Sequence, residues 1–278
     1  RYITRQEWYG ALVAVLVLGV FLSVASPFFL SGRNLSNILV QASVIALLAG
    51  GQTFVILTGG VDLAVGALTA LAGAVAGYMM VKLGINPYLA ILAAFGIGAA
   101  VGLFNGYLVA FVGIPAFIVT LGGLTLWRGL AFESTGGFDM AGLPEPFPFI
   151  GNGELLGIPM PIIVMALFYG VMGFILSSTK LGRYVYAIGS NEMGARQVGI
   201  NIRWYKLGVY LVSGLSCALA AIVLMGRMDS SSGKMAQMFE LDAIAAVILG
   251  GTSLFGGRGS LWGSLLGAIL IGMIRNGM

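Results

Sequence analysis

Histidine is absent from this sequence and cysteine occurs once, at Cys217. A histidine-based catalytic triad, a His/Cys metal site, a haem ligand pair and a disulfide framework are therefore excluded. Cys217 sits among Ser216, Ala218 and Leu219 and reads as a small packing residue. Charge is scarce too, at 9% of residues, and the net charge of +4 lies mostly in loops, without the basic stretches interleaved with aromatics that nucleic acid would call for. The phosphate-cradling pattern G-x-x-x-x-G-K-[ST] is missing, since Gly233-Lys234 is followed by Met235. With no acid/base pair in view either, the chain reads as non-enzymatic.

What fills the space is apolar: 59% of the 278 residues are hydrophobic. A soluble chain of this length would alternate charged and apolar faces, whereas most apolar runs here have polar flanks only at their ends. The expected fold is an all-α, polytopic transmembrane helical bundle. Arg1 and Arg5 before the apolar run 11–24 imitate a signal peptide, but so many later spans make that run a first membrane helix. An opening Arg in place of Met suggests that residues are missing upstream.

The most polar stretch is 180–206, expected to be a cytoplasmic coupling loop, which carries Lys180, Arg183, Arg196, Arg203 and Lys206 against one acid, Glu192. The side of a membrane that holds the Lys/Arg excess is the cytoplasm. Starting inside, spans are expected near 8–30, 38–57, 62–80, 87–112, 116–132, 158–177, 207–225, 241–249 and 261–274, about nine membrane segments in all. The segment 133–154 carries Glu133, Asp139, Glu145 and Glu154 without Lys or Arg, and is expected to be an extracytoplasmic loop with little regular structure. An outer loop is likewise expected at 227–239. Helix count and charge count put 180–206 on the same, inner side.

Two interruptions resemble each other: Thr58-Gly59-Gly60-Val61-Asp62-Leu63 and Leu249-Gly250-Gly251-Thr252-Ser253-Leu254. Short apolar segments broken by glycine are the mark of discontinuous membrane helices, and equal orientation makes the halves 8–132 and 207–278 parallel repeats. Small residues at fourfold spacing, Gly66/Ala70/Ala74, Gly98/Gly102/Gly106 and Gly259/Gly263/Gly267, lie on one helix face each and permit close helix packing.

Asp62 is the most conspicuous ionisable residue near membrane depth. It is either a substrate or gating group, because a carboxylate there is costly, or the N-cap of a helix starting at Leu63, a role Ser253 would share in the second break. Gln41, Gln52, Asn105, Thr120 and Trp127 are the other polar candidates. Each is either a transient partner for a hydroxylated solute or a tie between helices. Within 180–206, Asn191 is placed to cap a short helix that Gly199 ends, as a docking helix for a partner or as part of a solvated loop.

The segment from Gly182 to Asn201 resembles the coupling segment of permease subunits in the ribose, galactose and xylose family of bacterial ABC importers. Further matches are Gly59-Gly60-Val61-Asp62-Leu63-Ala64-Val65-Gly66, Asn105-Gly106 followed by Ile114-Pro115-Ala116-Phe117-Ile118-Val119-Thr120-Leu121-Gly122, and Glu240-Leu241-Asp242-Ala243-Ile244-Ala245-Ala246 leading to Gly250-Gly251-Thr252-Ser253-Leu254. The likeness covers nearly the whole chain, with the motifs in family order.

It implies a single permease domain over 1–278, multi-pass in the bacterial inner membrane with its N-terminus cytoplasmic, translocating a monosaccharide. Its partners would be a second permease subunit, as homodimer or heterodimer, cytoplasmic ATPase subunits that hold the ATP and Mg, and an extracytoplasmic sugar-binding protein. No cofactor, metal or nucleic acid belongs to the chain itself. Contact with the ATPase falls to Asn191, Glu192, Ala195 and Arg196, and the substrate pathway to Gln52, Asp62, Asn105, Phe117, Thr120 and Trp127. Ala64 and Ala67 stand where the family often has Ser, which weakens the case for direct sugar contact there. The family continues with a further helix beyond 275–278, so the chain is expected to be truncated. The alternatives are a related importer for nucleosides, branched-chain amino acids or a sugar-derived signal, and an ion-coupled secondary transporter.

Overall fold

A computed structural model describes residues 8–277 of the chain. In chain order it contains α1 (Tyr9–Ala25), α2 (Gly32–Leu57), α3 (Val65–Val81), α4 (Pro87–Tyr107), which runs on as a π-helical turn over Leu108–Val112, and α5 (Ala116–Thr135). There follow β1 (Met140–Ala141), α6 (Phe147–Asn152), β2 (Glu154–Leu155), β3 (Ile158–Pro159), α7 (Met160–Ser178), α8 (Lys180–Ser190) and α9 (Glu192–Gln197). The chain closes with α10 (Ile202–Met228), β4 (Ser230–Ser231), α11 (Phe239–Leu249) and α12 (Leu261–Gly277). Five of the helices are long and apolar enough to cross a membrane, the longest being α10 with 27 residues. The shorter apolar helices α1, α3, α11 and α12 complete the bundle.

α2 lies at the centre. Nearly every side chain over 42–57 is buried, as expected of a helix that is apolar all round. It packs against α10, α12, α11 and α7, and α10 in turn packs along α4. The α4–α10 seam is made by backbone approach: a Cβ on Gly98 would strike the Gly214 carbonyl, and one on Gly102 the Tyr210 carbonyl. Gly98 lies opposite Gly214 and Gly106 opposite Leu207, so the two helices run antiparallel. The same reading of contacts makes α12 antiparallel to α2, with Gly272 opposite Ala42 and Thr53 opposite Ser264. These relative directions agree with the alternation expected from the apolar runs.

Four local expectations are corrected. Residues 133–154 are not an irregular loop: β1 pairs antiparallel with β4, β2 with β3, and α6 lies against α10, with Phe147 buried. Close approach of Gly151 to Gly226 makes that docking possible, and the Asn152 amide nitrogen donates to the Gly226 carbonyl at 2.8 Å. The segment 227–239, expected as an outer loop, is a turn only as far as Ser231, after which the chain runs back along α3. Met235 meets the Gly73 position and Ala236 the Gly66 position, so 232–238 is an unwound half-span that α11 completes. Residues 180–190 are helical. Finally, α3 begins at Val65 and not at Leu63, which leaves 58–64 as a non-helical link of two turns inside the bundle.

Candidate functional site: the two interruptions and the basic end

The two interruptions meet. α2 stops at Leu57, and its last carbonyl accepts the N–H of Gly257 at 2.9 Å. A Cβ on Gly256 would press on the Gly59 nitrogen. Gly256 and Gly257 have φ of 83° and 71°, a left-handed conformation that glycine adopts without steric cost. Each interruption also holds the same small turn. Asp62 Oδ1 accepts the Ala64 N–H at 2.9 Å, and Ser253 Oγ accepts the Phe255 N–H at 3.2 Å.

Asp62 is buried, at 3% exposure, and both its oxygens are used. Oδ2 accepts a hydrogen bond from Ser213 Oγ at 2.9 Å. Ser213 is the twelfth residue of α10, about 16 Å along its axis from Ile202. Asp62 is therefore a tie between the first interruption and α10, and it precedes the N-cap position of α3, which Ala64 occupies without a side-chain bond.

α5 closes the other side of this interruption. The Thr120 hydroxyl lies 3.1 Å from the Val61 carbonyl and 2.9 Å from the Ala116 carbonyl. One turn further on, Gly123 leaves room for Trp127 beside Ala64, and Trp127 meets Phe104 edge to face at 5.8 Å. The Trp127 indole N–H is buried without an acceptor among the described residues. Asp62, Thr120 and Trp127 are thus brought to one place. Phe117, 57% exposed, lies on the outward side of α5. Gln52 is buried in α2 and Asn105 beside the α4–α10 seam; among the described residues neither amide atom of Gln52 is paired, and no hydrogen bond links either residue to the α5 group.

A residue that sequence reasoning passed over holds the second half-span. Arg128, from the middle of α5, donates from Nη1 to the carbonyls of Gly233 at 3.1 Å and Met235 at 2.6 Å, and from Nη2 to that of Ala236 at 3.4 Å. An unwound backbone inside a bilayer must have its carbonyls satisfied, and the five donors of a guanidinium suit that task. Glu240 lies against Gly66, where any Cβ would collide with its carboxylate. The available signal was an arginine within an otherwise apolar span, a rare event that marks function or structural need.

At the basic end, α8 docks on both interruptions. Gly189 fits between the Leu57 carbonyl and the Gly257 nitrogen, Tyr186 Oη donates to the Gly259 carbonyl at 2.8 Å, and Ser190 Oγ to the Gly257 carbonyl at 3.4 Å. Asn191 caps α9, accepting the Gly194 N–H at 2.8 Å, and Gly199 ends the turn with φ of 82°. Glu192 pairs with Lys206 of α10 at 2.7 Å and with Arg196 at 3.6 Å. Ala195 turns inward onto Ile188 and Ile202, while Met193, Arg196 and Val198 face outward. Arg258 joins this charged end through the second interruption.

Residues 34–278 match the family described as branched-chain amino acid transport system / permease component. The chain is 43% identical to the ribose import permease protein of Escherichia coli strain K12, covering 100% of this chain and 88% of that one. It is 42% identical to the ribose import permease protein of Bacillus subtilis strain 168, covering 97% and 84%. Identity to the fructose import permease protein of Rhizobium meliloti is 35%, covering 96% and 76%.

Proposed function

The chain belongs to the branched-chain amino acid transport system / permease component family, and we propose that it carries a monosaccharide as the membrane subunit of an ATP-driven importer. The relatives it resembles over 76–88% of their length carry ribose and fructose by name, which supports a sugar over an amino acid. As a permease subunit it is a multi-pass inner-membrane protein that works with separate ATPase subunits, which hold ATP and Mg, and with an extracytoplasmic binding protein. The finer reading is a homodimer with the N-terminus and the basic end in the cytoplasm, supported by the Lys/Arg excess of 180–206. The halves 8–132 and 207–278 are read as parallel repeats, a reading supported by the shared turn at Asp62 and Ser253.

The observation that carries the mechanism is the seat of Gly189 between Leu57 and Gly257. An ATPase that engages Asn191, Glu192, Ala195 and Arg196 through the α9 face moves α8 with it, and α8 bears on the ends of both broken spans. Rigid-body motion at the basic end then reaches the non-helical segment 58–64, which contains Asp62 and lies against Thr120 and Trp127 of α5. Gln52, Asn105 and Phe117 complete the proposed path. The permease need bind sugar only weakly, since capture belongs to the binding protein, and this accords with the scarcity of charge at depth.

Proteoliposomes test the reading. Sugar uptake is expected only with ATPase subunits, ATP and a loaded binding protein together. Uptake by the permease alone, driven by an ion gradient, would overturn it.

A further inference from the structure

Between the first interruption, the turn from α4 to α5, α9 and the start of α10 lies a cleft of about 440 Å³. Its charged lining is Arg196, Arg203 and Lys206 against the single acid Glu192, so the walls are net positive. Glu192 engages Lys206 and Arg196, whereas Arg203 has no carboxylate partner among the described residues and rests its guanidinium 6.0 Å from the Phe111 ring centroid. Two helix N-termini open onto the same space, α5 behind Pro115 and α10 behind Asn201, and neither has a side-chain cap. Uncapped N-termini present free N–H groups and the positive end of the helix dipole.

A second and independent feature points to a ligand. Tyr210 lines the cleft at 1% exposure, and its hydroxyl, beside Gly60, has no hydrogen-bond partner among the described residues. A buried hydroxyl left unpaired carries a desolvation penalty that a bound acceptor removes. The cleft therefore offers an unpaired hydroxyl able to donate, a net cationic lining and two dipole-positive helix ends. All three complement an oxyanion. The volume falls in the range of small-molecule sites, about 300–1,000 Å³, and exceeds what a bare inorganic ion needs.

We propose that this cleft binds a phosphate-bearing anion, a phosphate monoester or diester, with Arg203 and Tyr210 as its principal contacts. Arg203 supplies the charge-assisted bonds and Tyr210 the neutral donor. Such an anion would lie against Thr58, Gly59 and Gly60, and so would brace the first interruption from the basic end. The inference goes beyond the assignment as a permease and holds whichever sugar is carried.

Native mass spectrometry of the delipidated, assembled permease–ATPase complex tests it. One arm titrates inorganic phosphate and a pentose phosphate; the other adds phosphatidylglycerol or phosphatidylcholine. Retention of the pentose phosphate identifies a soluble ligand, and preferential retention of phosphatidylglycerol a lipid headgroup; either supports the site. R203Q, at an exposed position, and the near-isosteric Y210F are each expected to weaken that retention about tenfold, the loss of one strong hydrogen bond. The proposal is overturned if the wild-type complex retains no phosphate compound in either arm. It is equally overturned if Y210F binds as wild type does and R203Q loses only what added chloride also removes, because the cleft is then no more than a charged surface.

Discussion

The N–H of Gly257 donates to the Leu57 carbonyl at 2.9 Å, joining the last turn of a central span to a loop 200 positions further along the chain. Gly189 sits against both groups. Three segments remote in sequence thus converge on one point at the basic end, where a partner's movement would be felt by both broken spans.

That convergence makes Gly189 sensitive to the smallest enlargement. A Cβ there would overlap the Leu57 carbonyl and the Gly257 nitrogen, both of them backbone atoms with little room to yield. G189A is expected to cost about 1–3 kcal/mol and to lower coupled uptake more than ATP hydrolysis. Thermal unfolding in detergent and paired uptake and ATPase assays measure the two effects; unchanged uptake would remove α8 from the transmission route.

Charge reversal at α9 asks a different question. In E192K/R196E the ion pairs to Lys206 and within α9 change, but these side chains are partly exposed, so stability should fall by less than about 1 kcal/mol. ATP hydrolysis by the assembled complex is expected to continue while sugar uptake drops. Normal coupling in this variant would return α9 to the role of a solvated turn.

Arg128 is expected to be the least replaceable side chain of α5. R128Q leaves at least one of the Gly233, Met235 and Ala236 carbonyls without its donor, and each lost bond to a charged group costs about 1.5–3 kcal/mol. R128K should recover only part, because an ammonium cannot span the same fork of acceptors. Hydrogen exchange over 232–238 is the measurement, with faster exchange expected in both variants. Protection equal to wild type would show that the half-span holds itself.

At Asp62 the geometry separates charge from hydrogen bonding. D62N keeps an acceptor for the Ala64 N–H and offers an amide to Ser213 Oγ, so most uptake should survive; D62A strands both partners and is expected to lose about 1–3 kcal/mol. Total loss of uptake in a well-folded D62N protein would instead give the carboxylate charge itself a transport role.

Much of the bundle is legible in its apolar runs, because a span must satisfy its own backbone and advertises its length. The starts of α4 and α5 and the end of α2 are marked by Pro87, Pro115 and the Gly59-Gly60 pair, whereas α5 runs on to Thr135, past the end expected at 132. The cap at Asn191 and the stop at Gly199 are equally local and equally readable. The return of 232–238 is not, since nothing in Ser232-Gly233-Lys234-Met235-Ala236-Gln237-Met238 distinguishes a polar outer turn from an unwound half-span. Arg128, over a hundred positions away, decides between them. The docking of α6 and the pairing of β1 with β4 were hidden in the same way, because two-residue strands and a six-residue helix are too short to show a period.

By itself, then, the sequence determined the all-α membrane architecture, the order and alternation of the spans, the clustering of basic residues over 180–206, and the motifs of a permease family. Each follows from local hydrophobicity, helix caps or short runs of residues. Only the tertiary structure decided that the two interruptions touch, that Asp62 is bound to Ser213, that Arg128 holds an unwound half-span and that an unpaired Tyr210 hydroxyl faces a cationic cleft. These are contacts between distant segments, set by how closely glycine-lined helices approach one another, and no local pattern encodes them.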